Sequence, residues 1–193
     1  MSVATITSKK LFIIDEKTSS LGLIVGFVAI TMLFITFLAT FSSMMLKELQ
    51  YIHIDLMTKM IAVGITSVLV ISSLLFAISH RQWLSGKKKE SSFYLASSMA
   101  LGIVFLFGQI SYWQLLVKQG LSGLNNVLVG MVYLMAGAHA IHLIAGLVFL
   151  AWLWLQLNKG GELKEVRYRL IGWFWHYLSA LWTVILLYLI ITV

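Results

Sequence analysis

The sequence predicts an all-α, polytopic membrane protein: a bundle of five transmembrane helices with the N-terminus cytoplasmic and the C-terminus outside. Three observations lead there. The 193-residue chain is 60% hydrophobic and only 11% charged, whereas roughly a quarter of a soluble domain is charged. Five runs contain no Asp, Glu, Lys or Arg, and each matches the stretch of about 20 residues that a bilayer requires. The basic residues lie between those runs, and they are unevenly shared between the two sides.

The runs are Leu21–Leu46, Met60–Ile78, Phe93–Val117, Val127–Leu157 and Leu170–Val193. Only helices and closed barrels satisfy their backbones in lipid, and no run alternates with period 2, so all five are read as helices. Residues 1–20 are polar or mixed and lack the apolar core and cleavage site of a signal peptide, so they are expected to be retained as a cytoplasmic segment. Residues 21–193 form one membrane domain, because no gap is long enough for a soluble one. On the N-terminal side stand Lys9, Lys10, Lys17, Arg81, Lys87, Lys88, Lys89, Lys159, Lys164, Arg167 and Arg169; on the other stand Lys47, Lys59 and Lys118. Eleven against three is a positive-inside bias, and it sets the orientation. The net charge of +7 therefore belongs to membrane topology and not to nucleic-acid binding. The chain has no cysteine, which excludes disulfides and thiolate metal sites, and no proline.

The first helix opens with Gly22-Leu-Ile-Val-Gly26, a spacing that lets another backbone approach closely. In the second, the Ser72 and Ser73 hydroxyls are expected to bond back to their own helix carbonyls. In the third, Gly102, Phe105, Gln109 and Tyr112 share one face, and a Gln and a Tyr in hydrocarbon call for protein partners. Trp113 suits an interfacial anchor. Gly120, Gly123, Asn125 and Asn126 mark a turn. The 31-residue fourth run exceeds the bilayer and is expected to tilt or project. The Lys87–Lys89 run is read as a solvated loop near anionic headgroups. The fifth run places His176, Ser179 and Thr183 on one face.

The fourth run carries the chemistry to be explained: His139 and His142 deep in a charge-free helix, where an imidazole needs polar partners. Several readings compete. The two rings are one turn apart, about 4.5 Å along the axis, so they cannot serve two haem layers. One haem held by His139 or His142 together with His176 fits the spacing. A metal would need His176 as well, because the spans contain no carboxylate or thiolate. Nucleophilic catalysis lacks a paired acid, and a histidine proton relay stays open. The reading that asks least is structural: imidazoles satisfied at helix contacts by Gln109, Tyr112, Ser179 or backbone carbonyls, with Gly137 and Gly146 permitting close packing.

At these residues the chain resembles subunit III of the haem–copper terminal oxidases. That family carries Tyr-x-x-x-Gly-x-His-x-x-His-x-x-x-Gly in a long helix, matched here by Tyr133, Gly137, His139, His142 and Gly146. Its last helix carries Trp-His-Phe-x-Asp-x-x-Trp, and Trp175, His176, Tyr177 and Trp182 fall in register. Gln109 and Ser111 match a Gln followed by Ser on an earlier helix, and Ser72-Ser73 fit the second helix. The resemblance runs from about Ser72 to Thr192. It departs where the family has buried acids: Ser179 replaces an Asp, Tyr112 stands near a Glu, and the first helix has no carboxylate. Whether proton uptake is supported without those acids stays open at this point.

The resemblance implies the short, five-helix form of a non-catalytic subunit in a bacterial plasma (inner) membrane. It would stabilise subunit I and bind lipid within an oxygen-reducing, proton-translocating cytochrome c or quinol oxidase. Haem and copper are expected in partner subunits and none in this chain; phospholipid is expected as a ligand. The implied partners are oxidase subunit I as the main contact, subunit II, other small subunits, membrane lipids and a larger respiratory supercomplex, with no nucleic acid. Gln109, Tyr112, His139, His142, Trp175 and His176 are the expected helix-contact or lipid-contact positions, with no catalytic, cofactor or metal residues. The alternatives are a small b-type cytochrome anchoring another redox complex, or a carrier or channel.

Overall fold

The computed structural model describes residues 3–47, 55–121, 123, 127–159 and 163–192, with side chains of the first helix described for residues 20–46. These residues form five helices: α1 (Val3–Lys47), α2 (Leu56–Leu84), α3 (Lys88–Lys118), α4 (Val127–Asn158) and α5 (Glu165–Thr192). All five are long and apolar enough to cross a membrane, and no strand occurs among the described residues. Each helix outruns its charge-free stretch. The runs at 60–78, 93–117 and 170–193 become helices that begin or end several residues further out, and α1 reaches back to Val3. The reason is local: Lys, Arg, Glu and Gln are good helix formers, so hydrogen bonding continues where the hydrocarbon stops. Asn125 and Asn126 of the expected turn lie outside the described residues, as do the side chains of Lys9, Lys10 and Lys17.

Glycine turns the chain without proline. Gly86 (φ 77°) and Gly120 (φ 82°) follow α2 and α3 in the left-handed region. Lys87 N–H donates to Gln82 O and Gly86 N–H to Trp83 O; Leu121 N–H donates to Leu116 O and Gly120 N–H to Val117 O. Both are Schellman endings, which satisfy the last carbonyls of a helix.

Helices α2, α3, α4 and α5 close a ring in which each packs on the next and α5 returns to α2; α1 rests outside it, against α4 and α5. The register shows alternating directions. Ser72 pairs with Ser98 and Ser79 with Ser91, so α2 and α3 run antiparallel. Thr66 meets Trp182 and Ser73 meets His176, so α2 and α5 do too. Thr31 meets Tyr177 and Ser42 meets Tyr188, which sets α1 parallel to α5. The interior is aromatic and aliphatic: Phe34, Phe76, Phe105, Leu143, Leu150, Trp175 and Ile185 are all buried. The outer faces keep Leu21, Met32, Phe107, Ile141 and Ile191 exposed, which suits lipid or protein partners in a membrane.

Serines spaced seven apart explain why α2 and α3 form the closest pair. Ser72 donates to Ser98 O at 2.7 Å and Ser98 donates back to Ser72 O at 2.8 Å; Ser79 donates to Ser91 O at 2.6 Å. These hydroxyls do not bond to their own helix. Ser73 likewise reaches across to His176, at 2.5 Å from Nδ1. A small residue on each side lets the backbones approach until a hydroxyl can reach the neighbouring carbonyl, and this overturns the expectation of self-bonding.

Candidate functional site: the imidazole and indole interior

His139 is 1% exposed at the centre of the bundle. Its ring stacks on Trp182 of α5, with centroids 4.7 Å apart and planes 22° apart. Phe105 of α3 and Phe34 of α1 meet it edge-on at 6.3 and 6.4 Å. Four helices thus converge on one imidazole. Neither ring nitrogen has a hydrogen-bond partner. The expected partners Gln109, Tyr112 and Ser179 do not reach it. Apolar and aromatic rings from α1, α3 and α5 fill the contact first, so stacking replaces hydrogen bonding there.

His142, one turn on, is half-buried. Its Nδ1 lies 2.7 Å from Ala138 O of its own helix, and its ring meets Phe34 at 6.2 Å. It faces the seam between α1 and α4. The backbone carbonyl was among its expected partners.

Trp175 is fully buried and occupies a slot that glycine creates. A Cβ at Gly102 would stand 2.9 Å from the indole, and one at Gly146 3.0 Å from it. The indole Nε1–H donates to Ser72 Oγ at 3.2 Å, tying α5 to the α2–α3 serine pair. Gly137 has no such neighbour and does not serve close packing; Gly22 and Gly26 also meet nothing within 4 Å. Those last two line an open apolar groove with Phe27, Ile30, Phe149 and Phe174, so among the described residues the GxxxG face makes no close backbone approach.

Gln109 and Tyr112 lie apart from the imidazoles. Both line a cavity of about 70 Å³ enclosed by α2, α3, α4 and α5, with Thr66, Trp113, Tyr133, Ala136 and Trp182 among its walls. Gln109 is 7% exposed. Neither its amide nor the Tyr112 hydroxyl bonds to another described residue. They therefore make no polar contact between helices among the described residues. Trp113 packs edge-on against Tyr133 at 5.9 Å, and Tyr133 donates to the Trp113 and Leu121 carbonyls.

Other polar joints lay beyond the sequence reading. Tyr168, fully buried, sets its hydroxyl 2.6 Å from Ser79 Oγ and 3.1 Å from Ser91 Oγ. Its ring stacks with His80 and Trp83 at 5.0 and 5.2 Å. Tyr177 and Tyr188 fasten α1 through Thr31 and Ser42. The seven-residue serine spacing was the available signal for the first of these. Among the described residues no group of three or more His, Cys, Asp or Glu side chains could hold a metal ion. What the interior does chemically is lock five helices through rings and hydroxyls.

No family model matches the chain. Individual curated proteins do. The chain is 27% identical over 119 residues to cytochrome bo(3) ubiquinol oxidase subunit 3 of Pseudomonas putida, covering 61% of this chain and 58% of that protein. It is 28% identical to the protein of the same description from Buchnera aphidicola, covering 61% and 63%. It is 26% identical over 121 residues to cytochrome c oxidase subunit 3 of Glycine max, covering 61% and 44%. The matched part thus spans less than two thirds of each of these relatives.

Proposed function

We propose, from the premise that this chain is a divergent relative of the subunit 3 proteins of terminal oxidases, that it serves as the subunit III component of such a complex in a bacterial plasma membrane. In this reading it performs no chemistry of its own. It packs beside the catalytic subunit, holds phospholipid against its outer faces and steadies that subunit during turnover. Haem and copper belong to the partners. The observation that carries the reading is the interior at His139, where aromatic rings from α1, α3 and α5 surround one imidazole of α4. A ring caged in this way fixes helix positions. A further support is the apolar outer surface: Leu21, Met32 and Ile35 of α1 are more than half exposed, a face that a lipid or a second membrane subunit can cover. By its charge distribution the basic end, with Lys87–Lys89 and Arg167, faces the cytoplasm.

Affinity purification of the tagged full-length chain from its native membrane in mild detergent tests the proposal. The reading expects an oxidase catalytic subunit to co-purify in fixed ratio. Recovery of the chain alone, or with a carrier or dehydrogenase instead, would overturn it.

A further inference from the structure

The cavity beside Gln109 supports an inference that does not depend on the oxidase reading. Its walls run from Lys59 to Thr66 on α2, Gln109 to Leu116 on α3, Val129 to Ala136 on α4 and Trp182 to Ile190 on α5. Seven or eight residues are two helical turns, so the cavity reaches about 11 Å along the bundle axis. Its outer rim holds Lys59 and Leu121, at the ends of α2 and α3 that meet the membrane face; its floor holds Gln109, Thr66, Ala136 and Trp182. The floor is closed by the Trp182 indole, whose Nε1–H donates to Thr66 Oγ1 at 3.1 Å, and His139 lies stacked behind it.

The walls are mainly apolar, and a wholly apolar cavity stays dry. Gln109 changes the balance. Its primary amide has two donors and an acceptor oxygen. It is more than nine-tenths buried, lines the cavity and has no partner among the described residues. Tyr112, one turn above, presents a second unpaired hydroxyl to the same space. Leaving an amide unpaired against hydrocarbon costs more than immobilising a water, and Lys59, near the start of α2, stands at the rim. About 70 Å³ has room for several waters at roughly 10–15 Å³ each. We propose that the cavity is a hydrated vestibule, carrying water from the membrane face at Lys59 to the Gln109 amide and stopping at the Trp182–Thr66 bond. An acyl chain in the same space would fill the walls but leave Gln109 unpaired, so the amide favours water over lipid.

The absence of natural cysteine makes the test clean. Single-cysteine variants of the full chain in membrane vesicles are treated with a membrane-impermeant, water-soluble methanethiosulfonate reagent, applied to each side in turn. Ala136→Cys places a thiol on the cavity floor without changing size much and keeps Gln109. Leu134→Cys places one at the same depth on an outer face, where Leu134 is 51% exposed. The vestibule predicts that Ala136→Cys reacts from the Lys59 side at least about tenfold faster than Leu134→Cys. Adding Gln109→Leu should bring the Ala136→Cys rate down to that of the control, because the amide draws the water in. Equal rates at the two cysteines, as a dry or acyl-filled cavity would give, overturn the proposal. So does reaction only from the opposite side, or a rate that Gln109→Leu leaves unchanged.

Discussion

His139 shows how a buried polar side chain can be held without a hydrogen bond. Its two ring nitrogens are unpaired, and its contacts are the Trp182 face and the edges of Phe105 and Phe34. An unsatisfied buried nitrogen costs about 1–3 kcal/mol, whereas an aromatic pair contributes about 0.5–1.5 kcal/mol beyond the area it buries. Phenylalanine keeps the stack and removes the unpaired atoms. His139→Phe is therefore expected to raise the stability of the purified chain by about 1 kcal/mol, read as a higher thermal midpoint in detergent. A marked fall would mean that the imidazole is bonded in the folded protein. Gly172 tests the opposite limit. A Cβ there would stand 2.5 Å from Phe76 Cε1, and Phe76 is itself 1% exposed and held by the Tyr168 and His176 rings. Nothing can yield cheaply, so Gly172→Ala should destabilise by about 1–3 kcal/mol, with a lower midpoint in the same assay.

Helix by helix, the sequence revealed the spans but not their partners. Charge-free runs located all five, because hydrocarbon excludes charge. They set the ends too short, because the helix bonding pattern does not stop where the hydrocarbon does. Gly102, Phe105 and Gln109 do lie buried along one face of α3, as periodicity implied. Which residues fill the gaps is a matter of three-dimensional fit. Nothing local says that Trp175 enters between Gly102 and Gly146, or that Trp182 takes the place beside His139 where a polar partner was expected. Ser72 and Ser73 bond outside their own helix because a lone helix offers a hydroxyl only its own carbonyls, whereas close neighbours add the Ser98 carbonyl and the His176 ring. The α2–α3 pair depends on that closeness. Ser98→Leu should force the two backbones apart, removing both the Ser72 and Ser98 cross-bonds. It is expected to cost more than about 2 kcal/mol, whereas Ser98→Ala should cost about 1 kcal/mol; thermal unfolding of both variants compares them. Helix α1 is fastened differently, by two tyrosines on one neighbour. The double variant Tyr177→Phe and Tyr188→Phe should raise backbone hydrogen exchange in α1 and leave α2 to α5 unchanged, because the ring of four has its own contacts.

Taken whole, the molecule is a closed ring of four helices with a fifth laid against one side. The ring has a dry centre at His139, a cavity on one side of Trp182 and a basic face at one end. Its apolar outer surface is wider on α1 than elsewhere, since the α1 span is 6% buried against 28–33% for the others. That asymmetry suits a subunit whose first helix meets a neighbour. His142 sits on the same seam, facing Phe34 of α1. His142→Leu is expected to reduce the amount of complex recovered without altering the haem spectrum of whatever complex still forms. A haem band lost out of proportion to the complex would place His142 at a haem.

The central claim is that these imidazoles hold helices together and bind no cofactor, and an optical spectrum reads it most directly. The complex purified through this chain is recorded from the Soret region to the far red, then dissociated, and the isolated chain is recorded again. The account predicts haem absorbance that stays entirely with the partner subunits and an isolated chain with no Soret band. A Soret band that remains with this chain and disappears in His139→Phe or His176→Leu would contradict it.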